Sequence, residues 1–235
     1  MKSAVMLFLD QPLPVLSKLA PGEAPDPLAV ALVRDTLRNL ADVDADVFVF
    51  LAPDEDKDKA REVLGKGKFK LANAHGRNLQ VQQRNAFRLV FARGCERALL
   101  LANAMPDQPG HAIQSAMDSL GWKCCCLGPA PARANAECGA ECAADPIANA
   151  DGLYALGFDF EGYTTDALDM VDQSRPGLFT RMETLLLFYE RKVKVLAPYN
   201  PVASLDDAAA LAARCKDTRF ALLPSVRLAA ERAGL

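Results

Sequence analysis

Residues 97–120 read RALLLANAMPDQPGHAIQSAMDSL. Ala98–Ala102 is an apolar run of strand length, the next six residues are a polar, proline-broken connection, and Pro109 starts a helix. That β-loop-α order repeats along the chain. Outward from it, strands are expected at Ala4–Leu9, Asp46–Leu51, Phe69–Ala72, Lys123–Leu127, Gly152–Leu156 and Lys194–Leu196. Asp26 and Pro27 form an N-cap and N1 pair for a helix to about Leu40, Asp54 caps the next, and Asn78 opens one ending near Gly94. Pro176 starts a long helix reaching Arg191, and Ser204 one to about Cys215. Alternating strands and helices make an α/β fold: one three-layer α/β/α domain spanning residues 1–235, with a mostly parallel central sheet of about seven strands. The first, fourth and fifth strands are the most continuously apolar, which marks them as central.

Composition limits the function. With 51% hydrophobic and 24% charged residues the chain can bury a sizeable core, and a net charge of -3 supplies no basic field for phosphate backbones. Nucleic acid and anionic membranes are therefore not expected partners. The apolar start stops at Asp10 and is broken by Pro12 and Pro14, so it reads as a strand and not as a signal peptide, and no run of ~20 apolar residues follows. A cytoplasmic location is expected, with the 7 cysteines mostly reduced.

Two stretches interrupt the alternation: the proline-rich Asp10–Pro25 after the first strand, and Gly128–Asp151 after the fifth. In open α/β sheets ligands bind outside the carboxyl ends of strands, where both loops fall. Neither phosphate-binding glycine motif follows a strand, and there is no G-x-S-x-G elbow. His75 and His111 have no nearby Ser or Cys of obvious nucleophilic placement and read as surface residues. Cys124, Cys125 and Cys126 lie in a strand, the middle thiol facing opposite to its neighbours, and read as small core residues. Cys138 and Cys142 have a spacing open to a metal or a regulatory disulfide, but no second pair accompanies them. The run DEDKDK at 54–59 is a solvated helix start, and Asp206 and Asp207 sit in the first turn of a late helix.

Several segments together resemble one family. VMLFLDQPLP (5–14) is similar to a first strand followed by Lys-x-Pro-x-Pro-Gly and then Lys-Thr-Arg. HGRNLQVQQRNAF (75–87) is similar to Gln-Gly-x-Asp-Leu-Gly-x-Arg-Met and a following Ala-Phe. Residues 97–120 resemble Val-Leu-x-Gly-Thr-Asp-x-Pro-x-x-Pro and its helix, and CLGPA (126–130) matches Leu-Gly-Pro-Ala. ADGLYALGF (150–158) resembles Asp-Gly-Gly-Tyr-Tyr-Leu-Ile-Gly, and NPVASLDDAAAL (200–211) the late Asp-Val-Asp-Thr-x-x-Asp-Leu. In this order and spacing they resemble the bacterial nucleotide-diphospho-sugar transferases of the GT-A-like superfamily, the radical-SAM-associated, CofC-like transferase group.

The resemblance implies a nucleotide or nucleotide-sugar partner and a divalent Mg²⁺ or Mn²⁺ clamping a diphosphate. The polar positions depart from that pattern. Asp10 stands for the loop Lys, Val15 for its Gly, and at most Lys18 survives of Lys-Thr-Arg. Asn103 and Ala104 replace Thr and Asp, and Pro201, Val202 and Ala203 replace Asp-Val-Asp. An alanine offers a cation no oxygen, so no cofactor is expected. The expected function is a transferase-like chain impaired in metal-dependent sugar or nucleotidyl transfer and acting in binding or regulation. The alternative is an active glycosyl- or nucleotidyltransferase using non-standard groups such as Lys18, Arg77 and Asp151. The substrate-binding candidates are Pro12, Lys18, Arg77, Asn103, Asp107, Asp151 and Gly152. A third expectation is a redox-responsive module built on Cys138 and Cys142. Asp107 reads otherwise as a cap or turn residue before Pro109.

Overall fold

The computed structural model describes residues 1–17, 19, 23–131, 150–173 and 175–235. Among the described residues seven strands form one sheet: β1 (Ser3–Phe8), β2 (Asp46–Leu51), β3 (Phe69–Asn73), β4 (Arg97–Leu101), β5 (Cys124–Pro131), β6 (Ala150–Asp159) and β7 (Lys192–Val195). Their order is β3-β2-β1-β4-β6-β5-β7, mostly parallel, with helices on both faces. β6 runs antiparallel to both β4 and β5, whereas β3 beside β2 and β7 beside β5 are parallel. β1 and β4 are central, as their composition implies, but β5 is next to the edge strand β7. Apolar composition reports coverage of both faces, and Cys125, Cys126 and Leu127 are fully buried without a central place in the order.

By packing, the chain divides into two compact units. One comprises Met1–Ala4, His75–Leu101 and Ala116–Asn200; the other comprises Val5–Ala74, Ala102–Ser115 and Pro201–Leu235.

In the second of these, β1 and β2 are buried and the Phe8 and Phe50 rings stack with centroids 5.3 Å apart. Helix α1 (Pro27–Leu40) begins as expected: the Asp26 side chain accepts from the Leu28 N–H at 2.8 Å, and Pro27 occupies the first turn. Helix α2 (Lys57–Leu64) is capped by Asp56 and not by Asp54, because Asn73 donates to the carbonyls of Ala52 and Glu55 and holds residues 52–55 as a turn. Late in the chain a 3-10 turn (Leu205–Asp207) leads into α7 (Ala208–Cys215), and α8 (Pro224–Ala233) packs on α7 and on α1. The expected elements end at Cys215, although Pro224 in the first turn and Gly234 just past the end carry the usual signature of a helix. Asp35 of α1, 1% exposed, accepts from the Ser225 N–H at 2.9 Å, supplying a partner to an amide that α8 cannot satisfy internally.

The other unit holds α3 (Leu79–Ala92), a short helix α5 (Asp166–Asp169) and α6 (Leu178–Phe188). Asn78 caps α3 by accepting from the Val81 N–H at 2.9 Å. Phe87, Phe158 and Tyr163 pack ring against ring at 5.2 to 5.5 Å and join α3 to β6. The fourth long helix, α4 (Gly110–Asp118), starts just after Pro109. The helix expected to run from Pro176 to Arg191 is shorter, because pairing to β5 takes over at Lys192, whose N–H donates to the Lys123 carbonyl at 3.0 Å.

A larger difference concerns β5 and β6. Gly128–Pro131 looked like the start of a loop, yet these residues pair with β6, Gly128 to Ala155 through Pro131 to Ala150. Prolines are tolerated there because the register is irregular at Gly128/Pro129 and at Ala130/Pro131, where a ladder donor is not required. Asp151 is consequently a strand residue of the ten-residue β6 and not part of a loop, whereas Gly152 is in a strand as expected.

Candidate functional site

The strand-end loops of the second unit are built from three short segments. After β1, the chain turns at Leu9–Gln11 and buries Leu13, Val15 and Leu16, each at most 3% exposed. Within this turn the Asp10 Oδ1 accepts from three successive amides, Val15 at 2.6 Å, Leu16 at 2.7 Å and Ser17 at 3.0 Å. The Gln11–Pro12 peptide is cis and Pro12 is exposed.

After β4, Asn103 is fully buried and its whole amide is committed to the first loop. Its Nδ2 donates to the carbonyls of Leu9 and Leu13, and its Oδ1 accepts from the Leu13 N–H at 3.2 Å. The next residues are tied to α1: the Thr36 Oγ1 accepts from the Met105 N–H at 2.7 Å, and Asn39 donates to the carbonyls of Pro106 and Gln108. Gly110 is required by this docking, since a Cβ there would lie 2.5 Å from the Asn39 carbonyl oxygen. Asp107 is bound in a two-pronged pair by Arg214, Nε to Oδ2 at 2.7 Å and Nη2 to Oδ1 at 2.9 Å.

The third segment is Pro201–Ser204. The Val202 N–H donates to the Ala104 carbonyl at 3.0 Å, so the two segments that the resemblance marks as metal-binding do meet. Ala104 and Val202 are both fully buried. The nearby carboxylate, Asp207, accepts from the N–H groups of Ala203 and Ser204 at 3.0 Å each, closing a capping box with Ser204. Burial and the adjacent Asp107 push the Cys215 thiol, at the end of α7, up to about 11.

A divalent cation needs several hard oxygens converging on one point. The residues at this junction do not fit one. Ala104 and Ala203 carry no side-chain oxygen, Asp207 is turned onto its own helix start, and Asp107 is held by a guanidinium. Among the described residues no group of three or more His, Cys, Asp or Glu side chains is placed to hold a metal.

In the other unit, Asp151 is exposed on β6 and its Oδ1 accepts from the Gly177 N–H at 3.3 Å, while Gly152 follows it in the strand. Arg77 is exposed just before the α3 cap. Of the candidates read from sequence, Pro12, Asn103 and Asp107 therefore fall in one unit and Arg77, Asp151 and Gly152 in the other. Lys18, Cys138 and Cys142 lie outside the described residues. His75 and His111 are exposed. Sequence reasoning missed Thr36, Asn39 and Arg214, whose roles depend on partners roughly seventy to a hundred residues away and leave no local signal. Asp207, read from sequence as a first-turn acid, is the acid of a capping box with Ser204, a role that the Ser-x-x-Asp spacing carries.

No protein-family model and no curated protein matches the chain. Solved structures do. A protein from Desulfovibrio desulfuricans G20 assigned as a nucleotide-diphospho-sugar transferase superposes with a TM-score of 0.78 at 20% identity, covering 100% of this chain and 96% of its own. A cytidylyltransferase from Leptospira borgpetersenii superposes with a TM-score of 0.51 at 11% identity, covering 99% and 94%. The 4-diphosphocytidyl-2C-methyl-D-erythritol synthase of Anaerococcus prevotii gives 0.52 at 10% identity, covering 83% and 86%. The chain thus has a GT-A-like α/β fold, the fold of these solved structures.

Proposed function

We propose that this chain is a nucleotide-diphospho-sugar transferase-like protein impaired in metal-dependent sugar or nucleotidyl transfer, acting in binding or regulation. The observation that carries this reading is the junction of Ala104 with Val202: the segments meet through a main-chain hydrogen bond of 3.0 Å, but Ala104, Val202 and Ala203 carry no side-chain oxygen. Support comes also from the acids beside it, Asp107 and Asp207, each satisfied by internal donors. The ligand is a nucleotide or nucleotide-sugar, the class that the fold's relatives suggest, and the chain binds it without a divalent cofactor. In this reading Asn103 and Asp107 position the loops of their unit, where the exposed Pro12 is the candidate for ligand contact; Arg77 and Asp151 are exposed in the other unit.

Titration of the purified protein with nucleotide diphosphosugars, with and without Mn²⁺, tests the proposal. Binding unchanged by Mn²⁺ and no release of nucleotide are expected. Mn²⁺-dependent binding in the micromolar range with turnover would overturn it.

A further inference from the structure

We propose that the free edge of β7 is a docking site for an extended, acidic segment of a partner protein, which adds to the sheet as a further strand beside Lys192 and Lys194. No residue of the strand-end loops takes part, so its test is separate from that of nucleotide binding.

β7 ends the strand order and pairs only with β5 among the described residues. The Lys192 N–H donates to the Lys123 carbonyl at 3.0 Å, and the Leu196 N–H to the Leu127 carbonyl at 2.8 Å. Main-chain groups alternate in direction along a strand, so those of residues 192, 194 and 196 face β5, and the N–H and C=O of Val193 and Val195 face away from it. These are the groups through which an extended segment lengthens a sheet. Lys192 and Lys194 are exposed and Val193 and Val195 half-buried, which leaves this edge within reach of a partner among the described residues.

Charge decides the occupant. Over residues 190–195, ERKVKV, one acid accompanies three bases. Alternation puts Lys192 and Lys194 on one face. There Lys123 joins them: its Nζ lies 4.7 Å, and that of Lys192 5.6 Å, from the centre of the Trp122 ring, which is 65% exposed. Among the described residues none of these three lysines is paired with a carboxylate. Opposite charges across a strand pair stabilise it, so an incoming strand with carboxylates at alternate positions is favoured, and the indole supplies apolar area to the same segment. A second copy of this chain fits worse. Two β7 edges paired about a two-fold axis at Val193 set each Lys192 against a Lys194, a like-charge contact. The lysines bar self-pairing and admit an acidic strand.

The corner is already in place. The Lys123 N–H donates to Asp159 Oδ2 at 3.2 Å and the Cys124 N–H to Asp159 Oδ1 at 2.8 Å, which ties the start of β5 to the end of β6. Less ordering is then needed when the segment binds.

The probe is the peptide acetyl-Glu-Val-Glu-Val-Glu-amide, titrated into the full chain and followed by calorimetry and by the emission of Trp122, the chain's one tryptophan. Binding with a change of emission is expected, weakening as NaCl rises from about 50 to 300 mM. The Lys192→Glu/Lys194→Glu variant should bind this peptide at least about fivefold more weakly and should take a Lys-Val-Lys-Val-Lys peptide instead. N-methylating one alternate set of peptide amides should abolish binding to the wild-type chain, and methylating the other set should leave it, because only one set faces β7. That comparison needs no variant to fold. Absence of binding, binding without a change in Trp122 emission, equal affinity of the charge-reversed variant, or indifference to N-methylation would each overturn the proposal. So would a dimer of the chain that the peptide disperses, or a preference for phosphatidylserine vesicles over the peptide.

Discussion

Replacing Asn103 with alanine removes the side chain that fastens the loop after β4 to the loop after β1. Three bonds go: those to the Leu9 and Leu13 carbonyls and the one from the Leu13 N–H. Leu13 is 1% exposed, so water cannot replace them without opening the turn. At ~1 kcal/mol net for each bond, the loss is about 3 kcal/mol. For a chain of 235 residues the unfolding entropy near the midpoint is on the order of 0.5 kcal/mol/K, so the melting temperature should fall by about 6 °C. Asn103→Asp should be worse, because a carboxylate oxygen would then face two carbonyl oxygens where an NH₂ now donates. Thermal melts followed by circular dichroism, with urea unfolding as the second measure, give both values. A drop of less than about 1 °C for Asn103→Ala, or an Asn103→Asp variant more stable than Asn103→Ala, would refute this reasoning.

Two neighbouring acids should separate cleanly at the start of α2. Asp56→Ala removes the cap that accepts from the Asp58 N–H at 2.8 Å and should cost about 1 kcal/mol in urea unfolding, whereas Asp54→Ala should change stability by less than about 0.5 kcal/mol. Alkaline pH should destabilise the fold for a different reason. Burial pushes the Cys125 thiol and the Tyr163 phenol up to about 12, and the Cys126 thiol and Tyr154 phenol also upward, so these groups stay neutral when folded. Unfolded, thiols ionise near ~8.5 and phenols near ~10. Their contribution is complete below those values and is lost as pH rises towards the folded ones. Urea midpoints should be flat with respect to these groups from pH 7 to about 8 and then fall steadily to pH 11; a midpoint that rises across that alkaline range would contradict the assignment.

Residues 97–120 show how much was legible. An apolar run, a proline-broken connection and a helix start are local patterns, and local patterns identified β4, the loop and α4. The same held for Asp26 and Asn78, whose caps act on amides two and three residues away. Where a boundary was set by a distant partner, local pattern failed. Asn73 moved the start of α2 to Asp56, and pairing with β6 drew Gly128–Pro131 into a strand that composition reads as loop. That Ala104 and Ala203 carry no side-chain oxygen was likewise visible along the chain, because a side chain either has an oxygen or lacks one. What the sequence could not say was where the remaining polar groups go. Asn103 looked like a ligand contact and is instead buried against backbone; Asp107 waits on an arginine 107 residues later; Asp10 turns back on three amides of its own loop. Residue type is a property of one position, and so the sequence alone determined which side chains can offer an oxygen. Hydrogen-bond partnership needs two positions brought within about 3 Å, so only the folded chain decided how the polar groups that remain are used.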